Sequence, residues 1–198
     1  MTHSDHYVQI AGGHHVYFGA PHLTTFTARG LAQQLSQINR YNGCAGTAIN
    51  VASHSLDVAR LLKLWRAPAA TQLLGLLHDA HEAVIGDITK PLRQALKADG
   101  CTLIERLSDR IDVAVRASFN LERFATVPAL ADVARADNSV FAAEWRDWMQ
   151  GPSPVPDLTP APFRIRPLPQ ARAEQVFLTS FEKLVVEACA GVPTGLIK

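Results

Sequence analysis

Cysteine is scarce: Cys44, Cys101 and Cys189 are the three in 198 residues, far apart and without C-x-x-C spacing. That argues against a disulfide framework and fits a reducing compartment. Excess charge is missing as well. A formal net charge of +1 excludes a protein held to nucleic acid or a membrane surface by bulk electrostatics, while leaving room for a local basic pocket. No apolar run approaches the roughly 18 consecutive residues of a membrane span. The opening "MTHSDHYVQIAGGHHVY" lacks the apolar core of a signal peptide. The expectation is a soluble, cytoplasmic protein with no nucleic-acid or membrane partner.

What is present is an ordinary globular composition, 47% apolar and 19% charged, in a chain long enough for one sizeable core. A single domain over 1–198 is expected. "YVQIAGGHHVYF" alternates around Gly12-Gly13, which predicts a β-hairpin within residues 1–22. After it come helical patterns. Leu31, Leu35 and Ile38 follow Thr27 as N-cap, and a second helix begins near Val51. A third runs from Ala69 to about Ile85, ended by Gly86, and a short one follows "DITKP". Leu103, Leu107, Ile111, Val115 and Phe119 mark one apolar face, Pro128 opens another helix, and a last runs from Ala171 to about Ala190. Seven prolines between Gly151 and Pro169 predict a long irregular loop over 151–169. The fold class is all-α, a helical bundle with a small N-terminal hairpin.

One stretch resists this account. "GLLHDAHEAVIGDITKP" begins as a buried helix, yet delivers His78, Asp79, His81, Glu82 and Asp87 with no Lys or Arg between Arg66 and Lys90. Buried charge needs a partner, and a cation would serve. Two other helices carry a ligand-type residue on an apolar face: His54 among Val51, Ala52 and Val58, and Asp137 beside Ala136, Val140 and Phe141. Two imidazoles and two carboxylates suit a divalent ion in a catalytic rather than a structural site. For His54 alone, an ordinary core histidine is the competing reading. His81 reads as a supporting or surface residue, and Trp65, Trp145 and Trp148 as helix packing. His3, His6, His14, His15 and His22 lack helical spacing and read as surface.

The order His … His-Asp … Asp resembles the signature of the HD phosphohydrolase superfamily. "INRYNG", "NVASHS", "LLHDAHEAVIGDITKPLR" and "ADN…E" narrow the similarity to the branch of the YfbR-type 5'-deoxynucleotidases and phage dATP triphosphohydrolases. It spans roughly residues 8 to 190. The resemblance implies an HD-domain bundle with His54, His78, Asp79 and Asp137 as ligands of a divalent ion (Mn, Co, Zn, Fe or Mg). It implies Glu82 as general base or water-orienting group and Asp87 as the second acid. Arg40 would clamp phosphate, Tyr41 would pack on the sugar, and Lys90 and Arg93 would add phosphate contacts. Two positions depart from the pattern: Ser53 stands where an acidic or amide residue is common, and Tyr41 where the close nucleotidases have tryptophan.

The implied activity is a metal-dependent nucleotidase, foremost a 5'-deoxynucleotidase, working on a small-molecule nucleotide as a homodimer. A deoxynucleoside triphosphate triphosphohydrolase is the alternative within the superfamily, and a non-catalytic nucleotide-binding regulatory module the alternative outside enzymes. Lys90 and Arg93 have a plainer reading too, as counter-charges to the acid cluster.

Overall fold

The computed structural model describes residues 6–190. His3 and the last eight residues of the expected domain lie outside them. The described residues form an all-α chain with one hairpin. Strands β1 (Tyr7–Gln9) and β2 (His15–Tyr17) pair antiparallel, Val8 opposite Val16, across a turn in which Gly12 and Gly13 take φ of 89° and 80°. Val16 is buried, while His6, His14, His15 and His22 are exposed.

The helices are α1 (Ala28–Leu35), α2 (Val51–Leu64), α3 (Ala69–Leu76), α4 (Glu82–Ile85), α5 (Lys90–Ala98), α6 (Leu103–Ser118), α7 (Val127–Trp148) and α8 (Gln170–Ala190). Side-chain caps set several starts. Thr27 Oγ1 accepts from Gly30 N–H at 3.1 Å, and Asn50 Oδ1 accepts from Ser53 N–H at 2.8 Å. Helix α3 is the axis of the bundle, packed by α2, α7 and α8. Its apolar residues run almost all the way round, as a helix enclosed by others requires. Gly75 lets α2 approach it: a Cβ there would stand 2.3 Å from Leu62 Cδ1.

The third helix is shorter than its pattern predicts. It stops at Leu76 instead of continuing to Ile85. Leu77 N–H is shared between the Leu73 and Leu74 carbonyls, and the next bonds reach back three residues, Ala80 to Leu77 and Glu82 to Asp79, both at 3.0 Å. The tightened turns carry Leu77 to His81, then α4 resumes for one turn until Gly86, φ 77°, ends it. Hydrophobic periodicity cannot register this break, because Leu76, Leu77, Ala80 and Ala83 are buried on both sides of it. A second difference is Leu103. Its spacing predicts the apolar face of α6, yet it is exposed, whereas Ile111 and Val115 are buried.

The proline-rich loop has no helix or strand and is held by polar contacts. Asp147 at the end of α7 takes Ile165 N–H at 2.8 Å and Arg164 at 3.0 Å. Trp148 Nε1–H donates to the Ile165 carbonyl, and Ser53 Oγ accepts Leu168 N–H, both at 3.0 Å. Ser53 thus has an anchoring task on the back of α2. Among the described residues no helix is long and apolar enough to cross a membrane.

Candidate metal and phosphate site

Three segments deliver the candidate ligands singled out in the sequence. His54 comes from the first turn of α2, His78 and Asp79 from the break after α3, and Asp137 from the middle of α7. Adjacent residues of a regular helix point about 100° apart. The break removes that restriction and brings His78 Nε2 to 3.1 Å from Asp79 Oδ2. His54 Nε2 lies 3.1 Å from Asp137 Oδ1 and 3.6 Å from Asp79 Oδ2, and His78 Nε2 lies 3.7 Å from Asp137 Oδ1.

The tautomers give these distances their meaning. Glu144 Oε1 accepts from His54 Nδ1 at 2.9 Å, and the Gly75 carbonyl accepts from His78 Nδ1 at 2.8 Å. Both Nδ1 atoms therefore carry hydrogen, and in the neutral rings both Nε2 lone pairs face carboxylate oxygens. Acceptors that face each other need a proton or a cation between them. His78 Nε2 is buried and makes no hydrogen bond. Ligand atoms held 2.0–2.2 Å from one ion lie about 2.8–3.6 Å apart; three of the four distances fall in that range, and His78 Nε2 to Asp137 Oδ1, at 3.7 Å, lies just outside it. His54, His78 and Asp137 form one cluster able to hold a divalent ion; Asp79 belongs to a neighbouring group with His81 and Glu82, yet its Oδ2 stays 3.1 Å from His78 Nε2 and 3.6 Å from His54 Nε2.

The electrostatics agree with the geometry. Burial opposes the charged form of His54 and Arg40 adds to that, yet Glu144 and Asp137 raise its pKa above the ordinary value. His78 is raised further, since Asp79 and Asp137 outweigh its burial. Asp79 and Asp137 are held well below the usual carboxylate range against their own desolvation, chiefly by the two histidines. Protons on the imidazoles do here what a cation would do. Glu82 is different: burial, then the charge of Asp79, push its pKa up to about 10. Its Oε2 is buried without a partner.

Arg40 and Tyr41 begin a tight turn closed by the Asn39–Asn50 bridge. Tyr41 and Asn42 both take left-handed φ, 59° and 51°, a strained pair for residues with side chains. Three bonds hold them there. Asp87 Oδ2 accepts Tyr41 N–H at 2.9 Å, Tyr41 Oη–H donates to Glu144 Oε2 at 2.5 Å, and Cys44 N–H donates to the Tyr41 carbonyl at 3.0 Å. The Arg40 guanidinium donates through Nε to Glu144 Oε2 at 3.2 Å and through Nη1 to Asp79 Oδ2 at 3.4 Å. Asp87 thus braces the loop from one side.

Glu144 is the residue that the sequence pattern leaves without a role. It closes the "ADN…E" stretch, yet it is fully buried and joins His54, Arg40 and Tyr41. The signal that could have marked it is an acid in the apolar run "SVFAAEW", seven residues and two helical turns beyond Asp137 on the same face. His81 is also more than surface: Asp112 lies 3.1 Å from its Nδ1, and Arg93 Nη2 donates to its Nε2 at 3.0 Å. Arg93 further donates to the Ile88 carbonyl and Ser108 Oγ, so three of its donor groups are engaged within the wall. Lys90 donates to Asn138 Oδ1 at 3.0 Å and makes no ion pair among the described residues.

A cavity of about 500 Å³ opens in front of these groups, lined by Arg40, Tyr41, Asp79, Glu82, Asp87 and Lys90 among others. No family profile matches the chain. It is 27% identical over 188 residues to the uncharacterized protein YfdR of Escherichia coli, covering 90% of this chain and 95% of that protein. It is 31% identical over 164 residues to the uncharacterized protein RCAP_rcc00048 of Rhodobacter capsulatus, covering 72% of this chain and 78% of that one. The chain belongs to the family of RCAP_rcc00048. Kinship of this kind fixes the fold's ancestry and leaves the chemistry to the site itself.

Proposed function

We propose that the protein is a metal-dependent phosphohydrolase of the HD type acting on nucleotides, and foremost a 5'-deoxynucleotidase. The observation that carries the proposal is the convergence of His54, His78, Asp79 and Asp137, whose imidazole nitrogens and carboxylate oxygens stand at ligand spacing where only a proton or a cation can lie between them. A divalent ion bound there supplies Lewis acidity to a phosphoryl oxygen and lowers the pKa of water. Arg40 offers guanidinium donors to the same phosphoryl group, beside Asp79. Glu82 takes the proton of the attacking water. Burial does most to raise its pKa and the charge of Asp79 comes next, so a cation held on Asp79 would offset the second cause and favour the carboxylate form. The P–O bond to the sugar breaks as the bond to water forms, and the proton that Glu82 took passes to the departing sugar oxygen, leaving a nucleoside and phosphate.

Charge favours a monophosphate. Three cationic and four acidic side chains line the cavity, and Arg40 and Arg93 are already engaged. One divalent ion tips this balance slightly positive, which suits the roughly two negative charges of a phosphomonoester. A triphosphate brings about twice that charge and meets only Lys90 as an additional free cation among the described residues. The same reading makes the protein a cytoplasmic homodimer acting on free nucleotides. Phosphate release from dAMP, AMP, dATP and ATP with Mn²⁺ tests it. Monophosphate turnover with a deoxyribose preference is expected, triphosphate release would favour the dATPase alternative, and binding without turnover would overturn the enzyme.

A further inference from the structure

The cavity has two chemically different ends, and α7 measures the distance between them. Asp137, Phe141 and Trp145 are each four residues apart on one face, so each step advances about 6 Å along the helix. Asp137 belongs to the ligand cluster. Phe141 lies beside Tyr41, ring centres 6.1 Å apart, and Trp145 meets Tyr41 edge-on at 6.2 Å. Beyond them Met149 and Pro154 complete the lining. A nucleotide bound with its phosphate at the Asp137 end would set its sugar against Tyr41 and Phe141 and its base at Trp145.

The polar groups near this far end are already committed. Trp145 Nε1–H donates to the Gly151 carbonyl at 3.1 Å and Tyr41 Oη–H to Glu144. Asn42 and Cys44 sit exposed at the rim. What remains for a ligand is the flat, half-buried indole, a thioether and a proline ring. The bond to Gly151 fixes the indole plane, which gives the start of the proline-rich loop a purpose, and the same loop supplies Pro154.

Building on the phosphohydrolase reading, we infer that Trp145, with Met149 and Pro154, is a nucleobase subsite that reads the face of the base and not its hydrogen-bonding edge. Every base has such a face, so the enzyme accepts all of them, purines ahead of pyrimidines because they cover more of the indole.

The test compares the whole protein with Mn²⁺ on dAMP, dCMP and 2-deoxyribose 5-phosphate, which keeps the sugar and phosphate and lacks the base. In the wild type the nucleotides have the lower KM. Trp145→Ala should raise the nucleotide KM about ten-fold, the scale of one lost base–aromatic stack, so that the advantage over the base-free substrate disappears. Trp145→Phe should keep most of it. Quenching of tryptophan fluorescence by dAMP in the metal-free protein should vanish in Trp145→Ala, a readout independent of turnover. An undiminished nucleotide advantage, or equal damage to all three substrates, overturns the subsite while leaving the phosphohydrolase intact. A wild type that hydrolyses none of the three overturns the parent reading and the subsite with it.

Discussion

Glu144→Gln is the most informative single substitution, because one buried carboxylate serves three clients. Glu144 is fully buried, with His54 Nδ1 at 2.9 Å, Arg40 Nε at 3.2 Å and Tyr41 Oη at 2.5 Å. A glutamine keeps the shape and one accepting oxygen, and replaces the other oxygen by an NH₂ donor. If the NH₂ faces Tyr41 and Arg40, two donors confront a donor and Arg40 keeps Asp79 alone as its counter-charge. If it faces His54, the imidazole must accept at Nδ1 and carry its proton on Nε2, which deprives the cluster of a lone pair.

Each hydrogen bond to a charged group contributes about 1.5–3 kcal/mol, and an orphaned buried charge costs about 3–5 kcal/mol. Partial compensation by the remaining oxygen leaves an expected loss of roughly 2–4 kcal/mol in unfolding free energy. Mn²⁺ affinity should fall about 10–100-fold, as it does when a histidine ligand loses its orienting partner. Urea denaturation of the metal-free protein reads the first quantity and calorimetric titration with Mn²⁺ the second. A variant with wild-type midpoint and wild-type Mn²⁺ affinity would refute the network.

Asp79→Ala should lose tight Mn²⁺ binding and phosphatase activity together; full activity in a metal-free Asp79→Ala protein would end the metal hypothesis. Glu82→Gln keeps the side chain's shape but cannot take a proton, so turnover should fall roughly 10²-fold with Mn²⁺ still bound; loss of the ion would make Glu82 a ligand instead. Stability against pH gives the last of these tests. The raised pKa values of His54 and His78 lend stability that is complete below about pH 6.5 and lost as pH rises through the folded values, and Glu82, at about 10, pulls in the same direction above about pH 4.5. The depressed carboxylates of Asp79, Asp137 and Glu144 lose theirs as pH falls below about 4. Metal-free protein should therefore melt highest near pH 5 to 6, with Mn²⁺ moving the maximum upward as it replaces protons; a metal-free melting temperature that climbs from pH 6 to 8 would contradict the cluster.

Much of the architecture is legible in the sequence because its causes are local. Alternation around Gly12-Gly13 predicts the hairpin, Thr27 caps α1, and the spacing of Ile111 and Val115 marks the buried face of α6. The candidate ligands stand out because an imidazole or carboxylate on an apolar face costs free energy unless something pairs with it. Glu144 and Trp145 stay hidden for a different reason. What they do depends on the angular relation of α7 to the 40–43 turn and to the proline-rich loop, and no single-helix pattern contains that relation. Arg93 shows the converse: its charge suggests a phosphate contact, while His81, Ser108 and the Ile88 carbonyl, from three separate segments, take up its donors.

The break between α3 and α4 joins these two levels. A continuous helix from Ala69 to Ile85 would satisfy the hydrophobic pattern equally well and would turn His78 and Asp79 away from each other. At the break a side chain takes a carbonyl that the helix ladder would otherwise use. Gly75 draws α3 against Leu62 and Val58 of α2, and the Gly75 carbonyl takes the Nδ1 hydrogen of His78 at 2.8 Å. The following residues close into turns that reach back three positions, with Leu77 and Ala80 still buried. The core therefore gains its apolar contacts on both sides of the break, and the site gains two neighbouring ligands aimed at one point. Gly75→Ala would turn the Leu62 side chain out of that contact, so the melting temperature should fall while Mn²⁺ affinity holds; an unchanged melting temperature would show that the contact carries no weight.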